Sequence, residues 1–189
     1  MPGTVVLAFG LGVLLMSEPS RDLTAGRSLD EVRAMMKDAE AQGRVRKARK
    51  TKPVDARPAH PGEVIVTVLT GEGKETQSRP AVKGDWVVRS RCEATGNEEY
   101  LVAAEKFKER YEATGRPGSA EGWQEYKPLG KTMRYFIVKP EQGEFTFTAP
   151  WGEPMIAKPG DAIVQDPDDP KDTYRVAAAA FACTYEVLD

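Results

Sequence analysis

The sequence predicts an α+β protein whose β-rich domain consists of two duplicated halves. A Gly-Asp pair occurs at residues 84–85 and again at 160–161, and a short apolar run follows each copy. Four residues then recur at the same spacings: Tyr100, Val102, Phe107 and Tyr111 correspond to Tyr174, Val176, Phe181 and Tyr185. Equal spacings after a shared motif indicate an internal duplication.

Each half is expected to run β-hairpin, Gly-Asp turn, strand, strand, helix. Alternating or short apolar runs are typical of strands, whereas aromatic residues four apart form one face of a helix. The predicted strands are 63–69, 86–88 and 100–102 in the first half and 133–138, 162–164 and 174–176 in the second. The predicted helices are 103–113 and 177–185. We expect the two halves to pack about a pseudo-two-fold axis.

The Gly-Asp pairs have a structural explanation and a catalytic alternative. Glycine allows the tight turn into the next strand, and the aspartate can hold that turn by accepting hydrogen bonds from neighbouring amides. Alternatively, Asp85 and Asp161 are a pseudo-symmetric acid and base of an enzyme. The structural role suffices for both residues, so whether the protein is an enzyme stays open, with the balance against it.

The copies at residues 83–88 and 158–164 resemble the motif of a family of bacterial and phage proteins named for Pro-Gly-Asp-Tyr-Gly (PGDYG). The likeness extends over residues 83–113 and 158–187. The first copy has Lys83 for the proline, the second has Ala162 for the tyrosine, and neither has the final glycine. The resemblance implies a β-rich domain of bacterial or phage type, and no particular activity.

Residues 1–59 are predicted to be an N-terminal extension of the duplicated domain at 60–189, whose halves span about 60–115 and 131–189. The apolar stretch at 4–16 is shorter than the roughly 20 residues of a membrane span, so no span is expected. A translation start near Met16, a signal or anchor, and a packed helix remain open. The cytoplasm is the expected location.

Two further segments follow within the extension. Ser28-x-x-Glu31 has the form of a capping box and predicts a short helix that ends near Gly43. The basic run at 44–52 leads into a proline-rich segment, and we interpret the two together as a solvated linker. Binding of nucleic acid or a protein partner through residues 44–52 is the alternative.

Composition excludes several classes of site. Residues 1–59 hold eleven basic and seven acidic side chains, so the remaining domain is mildly acidic and no broad nucleic-acid surface is expected there. His60 is the only histidine, which excludes a multi-histidine metal site. Cys92 and Cys183 are interpreted as two unrelated reduced thiols. No metal and no cofactor are therefore expected.

Positions where the two copies differ point to a ligand site. Aromatic rings and arginines together can hold a planar or anionic molecule by stacking and forked hydrogen bonds. The candidate ligand-binding residues are Trp86, Arg89, Arg91, Tyr126, Arg134 and Trp151. These predict a non-catalytic module that binds a small anionic or nucleotide-like ligand between the halves. Alternatively, the tryptophans fill the interface between the halves and the arginines pair with local glutamates.

Overall fold

The computed structural model describes residues 26–188, which form a mixed α+β structure with mostly antiparallel sheets. The predicted α+β class is confirmed. The three helices are α1 (Leu29–Ala41), α2 (Ala104–Arg110) and α3 (Ala178–Thr184). Short 3-10 turns lie at Glu93–Thr95 and Pro140–Gln142.

Two five-stranded sheets form the body of the protein. Sheet I contains β2 (Val54–Pro58), β5 (Trp86–Ser90), β6 (Glu99–Val102), β7 (Tyr111–Pro117) and β8 (Gln124–Pro128). Sheet II contains β1 (Arg46–Lys50), β9 (Thr132–Ile137), β12 (Ala162–Gln165), β13 (Thr173–Val176) and β14 (Tyr185–Leu188). Two separate hairpins are β3 (Val66–Leu69) with β4 (Gly73–Gln77), and β10 (Phe145–Thr148) with β11 (Pro154–Ala157).

The strand orders of the two sheets correspond one to one. Sheet I runs β6-β5-β2-β8-β7 and sheet II runs β13-β12-β9-β1-β14. The registers correspond as well: Val88 lies opposite Tyr100, as Val164 lies opposite Tyr174. At the other end of the sheets, Tyr111 pairs with Pro128 and Tyr185 pairs with Lys50. A short helix precedes the edge strand at this end of each sheet: α2 precedes β7, and α3 precedes β14.

The predicted linker is wrong for residues 46–50 and 54–58, which are inner strands of the two sheets. β1 pairs with β9 and β14, and β2 pairs with β5 and β8. Side chains alternate between the faces of a strand, so β1 buries Ala48 while Lys47 and Arg49 stay exposed. Pairing on both sides overrides the weak strand propensity of this basic run. The boundary predicted at residues 59–60 therefore separates β1 and β2 from the sheets to which they belong.

The two predicted aromatic helices are shorter than expected. α2 and α3 end before Tyr111 and Tyr185, which begin β7 and β14 in extended conformation. Phe107 and Phe181 remain on the helices and pack onto their sheets. The helical spacing of the aromatics was therefore misread, because the second residue of each pair belongs to a strand.

Helix α1 packs on the second sheet. Val32, Met36 and Ala39 are fully buried against Phe136 of β9 and Phe147 of β10. Ser28 caps the helix as predicted: its hydroxyl accepts a hydrogen bond from the Glu31 amide at 3.2 Å, and its own amide donates to the Glu31 carboxylate at 2.8 Å. The capping box is confirmed.

Replacing Ser28 with alanine should lower the free energy of unfolding by about 1 kcal/mol, because the Glu31 amide loses its acceptor. Urea denaturation at pH 7 measures this difference. Replacement of Ser28 by aspartate retains an acceptor, so this variant should keep most of the free energy of unfolding that the alanine variant loses. Equal losses in the alanine and aspartate variants would contradict the capping role.

Cys92 and Cys183 form a disulfide, which corrects the prediction of two unrelated thiols. Their Cα atoms lie 6.0 Å apart although 91 residues separate them in sequence. The bridge joins the β5–β6 connection to α3, and so links the two sheets covalently. The prediction of two unrelated thiols was wrong because only the fold brings these positions together.

No helix within residues 26–188 has the length and apolar character needed to cross a membrane. The predicted apolar stretch at residues 4–16 lies outside the described residues.

Candidate functional site

The six predicted ligand-binding residues lie at four different places. Trp86 stacks on Phe107, with ring centroids 4.3 Å apart, and meets the edge of Tyr126 at 5.4 Å. Both Trp86 and Tyr126 therefore belong to the core between sheet I and α2. Arg134 forms an ion pair with Glu40 of α1 at 2.7 Å.

Arg89 and Arg91 line a separate surface depression. Arg89 pairs with Glu99 at 2.8 Å, and its guanidinium lies 3.9 Å from the centre of the Trp123 ring. Arg91 pairs with the buried Asp55 at 2.6 Å and also with Glu125. Their charges are thus compensated within the protein.

Trp151 is the one predicted residue that lines a cavity located between the two sheets. It is 37% exposed and lies in the β10–β11 connection. The predicted group is not assembled as one site. Its arginines pair with local carboxylates, as the structural alternative expected.

Asp85 and Asp161 hold the two Gly-Asp turns. Asp85 accepts hydrogen bonds from the Val82 amide at 2.9 Å and from Arg79 at 2.7 Å. Burial would raise the pKa of Asp85, but Arg79 and the amide donors lower it below its ordinary value. Asp161 accepts from the amides of Lys158 and Ala178 at 2.8 and 3.0 Å, the latter at the start of α3. Each carboxylate therefore serves its own turn.

The cavity lies between the two sheets and has a volume of about 580 Å³. Residues 100–103 and Tyr111 form part of one wall, and residues 174–177 and Tyr185 form part of the other. This volume lies within the range of about 300–1,000 Å³ that is usual for small-molecule sites. Both sheets therefore contribute to the lining of one cavity.

Four tyrosines form two pairs at this cavity. The hydroxyl oxygens of Tyr100 and Tyr111 lie 3.2 Å apart, and those of Tyr174 and Tyr185 lie 3.4 Å apart. Each pair joins an outer strand of a sheet to the outer strand at its opposite edge, across eleven residues of sequence. Each pair thus places two phenol groups side by side at the cavity.

Lys50 lies at the end of β1 and reaches the tyrosine pair of the other sheet. Its ammonium donates to the Tyr100 hydroxyl at 2.6 Å and lies 3.5 Å from the Tyr111 hydroxyl. The same nitrogen is 5.1 Å from the centre of the Tyr100 ring. Because Lys50 is paired with Tyr185 in the β1–β14 register, it connects both tyrosine pairs.

Lys50 has no carboxylate within ion-pair distance among residues 26–188, unlike most other cations that line the cavity. The compensated pairs are Arg79–Asp85, Lys106–Asp172, Arg110–Asp172, Lys131–Asp166 and Arg175–Asp161. Lys171 also lines the cavity but is exposed to solvent. A partly buried cation without an anionic partner is unfavourable, so this position favours an added anion.

The protonation states support a cationic centre surrounded by neutral phenols. Burial would lower the pKa of Lys50, but its interactions with Tyr111, Tyr185 and Tyr174 raise that pKa above the ordinary value. Burial raises the pKa of both Tyr100 and Tyr185 well above that of free tyrosine. At neutral pH the site therefore offers an ammonium group and phenol hydroxyls as hydrogen-bond donors.

Sequence reasoning missed Lys50 as a site residue because it placed the basic run in a linker. The tyrosines were recognised, but only as markers of the repeat. Their equal spacing of eleven residues in both copies was the available signal. The sequence around Lys50 has no regular strand pattern, so it gave no signal that this lysine belongs to the site.

Arg175 occupies a second charged centre at the same cavity. Its side chain is 1% exposed and forms ion pairs with Asp161 at 2.8 Å, Glu72 at 2.8 Å and Glu75 at 2.7 Å. Burial raises the pKa of Glu75, and Arg175 opposes that rise. Since Glu72 and Glu75 belong to the β3–β4 segment, Arg175 connects that segment to sheet II.

Comparison of the chain with protein-family profiles, curated proteins and solved structures found no match. The resemblance to the PGDYG family therefore stays a prediction. Within residues 26–188, no group of three or more histidine, cysteine, aspartate or glutamate side chains is arranged to hold a metal ion.

Proposed function

We propose that this protein is a non-catalytic binding module that holds a small anionic ligand in the cavity between its two sheets. The observation that carries the proposal is Lys50, a cation that lines the cavity without a carboxylate partner in the described chain. A bound anion would supply the missing charge. Phenol hydroxyls of the two tyrosine pairs would add directed hydrogen bonds.

We further propose that the sheets descend from a duplication, with β1 occupying in sheet II the position that β8 has in sheet I. The matching strand orders and registers support this proposal. Under this relation Tyr100 and Tyr111 correspond to Tyr174 and Tyr185. The ligand would then lie near a pseudo-two-fold axis, as the sequence suggested, although its contacts differ from those expected.

Replacing Lys50 with methionine should weaken anion binding at least tenfold, because hydrogen bonds to charged groups contribute about 1.5–3 kcal/mol. The same change should lower the melting temperature of the free protein only slightly, since it removes the hydrogen bonds from Lys50 to two neutral tyrosine hydroxyls. Thermal-shift measurements with nucleotides, sugar phosphates and carboxylates test both expectations. A ligand at a hundredfold its dissociation constant stabilises by about 2.7 kcal/mol.

Lys47→Met provides a matched control on the same strand. Lys47 is exposed and lies on the opposite face of β1 from Lys50. The Lys47→Met variant should show the same ligand-induced shifts in melting temperature as the wild type. Loss of binding in both variants, or in neither, would contradict the assignment of the site to Lys50.

Neither alternative predicted from the sequence gains support from a specific contact. Asp85 and Asp161 already accept hydrogen bonds from their own turns, so an enzyme built on that pair stays a prediction. In the basic segment, Lys47 is exposed, while Arg49 pairs with Glu186 of β14 at 2.8 Å. Binding of nucleic acid or protein there also stays a prediction.

The expected cytoplasmic location is likewise untested, and the disulfide argues against it. Structural disulfides persist mainly in oxidising compartments and are rare in a reducing cytosol. We infer that the folded protein works where the Cys92–Cys183 bridge stays oxidised.

A further inference from the structure

The two sheets contribute different residues at one equivalent position of the cavity lining, although the tyrosines are arranged in equivalent pairs. Lys50 lies beside Tyr185 in the β1–β14 register, and the corresponding neighbour of Tyr111 in the β7–β8 register is Pro128. Both Lys50 and Pro128 line the cavity. The position that holds a proline in sheet I therefore holds a lysine in sheet II, and the ammonium group of that lysine reaches the Tyr100–Tyr111 pair across the cavity.

Much of the remaining lining is apolar. Val102 and Met133 extend the apolar wall beyond Pro128, and Trp151 adds a partly exposed aromatic ring. Lys106 and Arg110, which also line the cavity, share the carboxylate of Asp172. These paired groups attract a free anion less than Lys50 does. Beyond Lys50, the cavity thus suits an uncharged and largely apolar body.

The donors near Lys50 suit a carboxylate in number. An ammonium group has three N–H donors, and the Lys50 nitrogen directs two toward Tyr100 and Tyr111, which leaves one. In each tyrosine pair one hydroxyl can donate to the other, so one O–H remains in each pair. These three donors suit a carboxylate, whose two oxygens can together accept up to four hydrogen bonds. A phosphate dianion would instead exceed the single charge of Lys50.

We infer that the ligand is an amphipathic monocarboxylate whose carboxylate lies beside Lys50 and whose apolar body lies against Pro128, Met133 and Trp151. This inference rests on the proposed function and narrows it from anions in general to one class. It predicts that charge and apolar bulk are both required for binding.

Calorimetric titration of the full chain with matched probes tests the inference. The probes are 4-phenylbutyrate, decanoate and indole-3-acetate, with 4-phenylbutyramide, butyrate, inorganic phosphate and adenosine monophosphate for comparison. At least one apolar carboxylate should bind, and its uncharged or short counterpart should bind at least tenfold more weakly. Lys50→Met should reduce the affinity for the apolar carboxylate by at least tenfold.

The outcomes separate the two proposals. If phosphate or adenosine monophosphate binds through Lys50 while the apolar carboxylates do not, the ligand class is wrong and the anion site stands. If none of the probes binds in a way that depends on Lys50, both proposals fail. Binding of the amide as tightly as 4-phenylbutyrate would overturn the role of the carboxylate.

A charge introduced at Pro128 tests the position of the apolar body. Pro128→Lys should weaken 4-phenylbutyrate binding and improve binding of the dicarboxylate suberate, since the cavity would then offer a second cation. Pro128→Ala is the matched control and should retain the preference for 4-phenylbutyrate. If Pro128→Lys leaves both affinities unchanged while circular dichroism shows an intact fold, the ligand does not lie against Pro128.

Discussion

Replacing Arg175 with methionine should destabilise the protein by about 3–5 kcal/mol, among the largest effects expected of any single substitution here. Arg175 is 1% exposed and compensates three carboxylates, of which Asp161 and Glu75 are themselves well buried. Without the guanidinium, these negative charges repel one another in a poorly hydrated environment. Urea unfolding followed by circular dichroism at pH 7 measures the loss.

The loss should shrink as the pH falls. Burial already raises the pKa of Glu75 above the ordinary value of 4.5, and removal of Arg175 would raise it further. The native variant then binds a proton at a higher pH than the unfolded chain does, so acidification from pH 7 toward 5 stabilises it relative to the wild type. If the loss of unfolding free energy in the Arg175→Met variant did not change with pH, an electrostatic origin would be contradicted.

Arg49→Met is the matched control. Arg49 also pairs with a glutamate, but its side chain is 45% exposed and that of Glu186 is 51% exposed. Exposed ion pairs contribute at most about 1 kcal/mol because water and salt screen them. Comparable losses in the two variants would show that burial does not decide the effect.

Reduction of the Cys92–Cys183 disulfide should lower the free energy of unfolding by about 2–4 kcal/mol. The bridge closes a long loop, whose ends are 91 positions apart in the sequence, and so restricts the unfolded chain. Denaturation with and without a phosphine reductant, under otherwise identical conditions, gives the difference.

The double variant Cys92→Ala, Cys183→Ala supplies the control. It should have a stability close to that of the reduced wild type and should not respond to the reductant. A response in the double variant would assign the effect to the reagent. If the reductant left the free energy of unfolding of the wild type unchanged, the bridge would add no stability.

Local features of the fold were predictable from the sequence. The Gly-Asp turns, the strands that follow them and the capping box of α1 all depend on residues close in the chain, and each occurs where expected. Tyr111 and Tyr185 mark the limit of such reasoning. Their spacing from Phe107 and Phe181 fits one helical face, yet both residues begin strands.

Features that depend on distant partners were not predictable. β1 is a strand because β9 and β14 supply hydrogen bonds on both sides, and its own sequence gives little indication of this. The same holds for the disulfide and for Lys50, whose tyrosine neighbours lie 50 and 61 residues away. The candidate site was placed between the halves, but its residues could not be identified without the register of β1.

The position of β1 has a consequence for the order in which the protein is made. Sheet I uses only residues 54–128, so all of its strands are available once that portion has left the ribosome. Sheet II joins residues 46–50 to residues 132–188, so β1 must wait for β9 as its first partner and for β14 as its second. Such distant pairing is slow to form. The nascent chain therefore carries β1 without its partner strands until residues 132–188 have been made, and Lys50 joins the cavity lining only when β1 is paired.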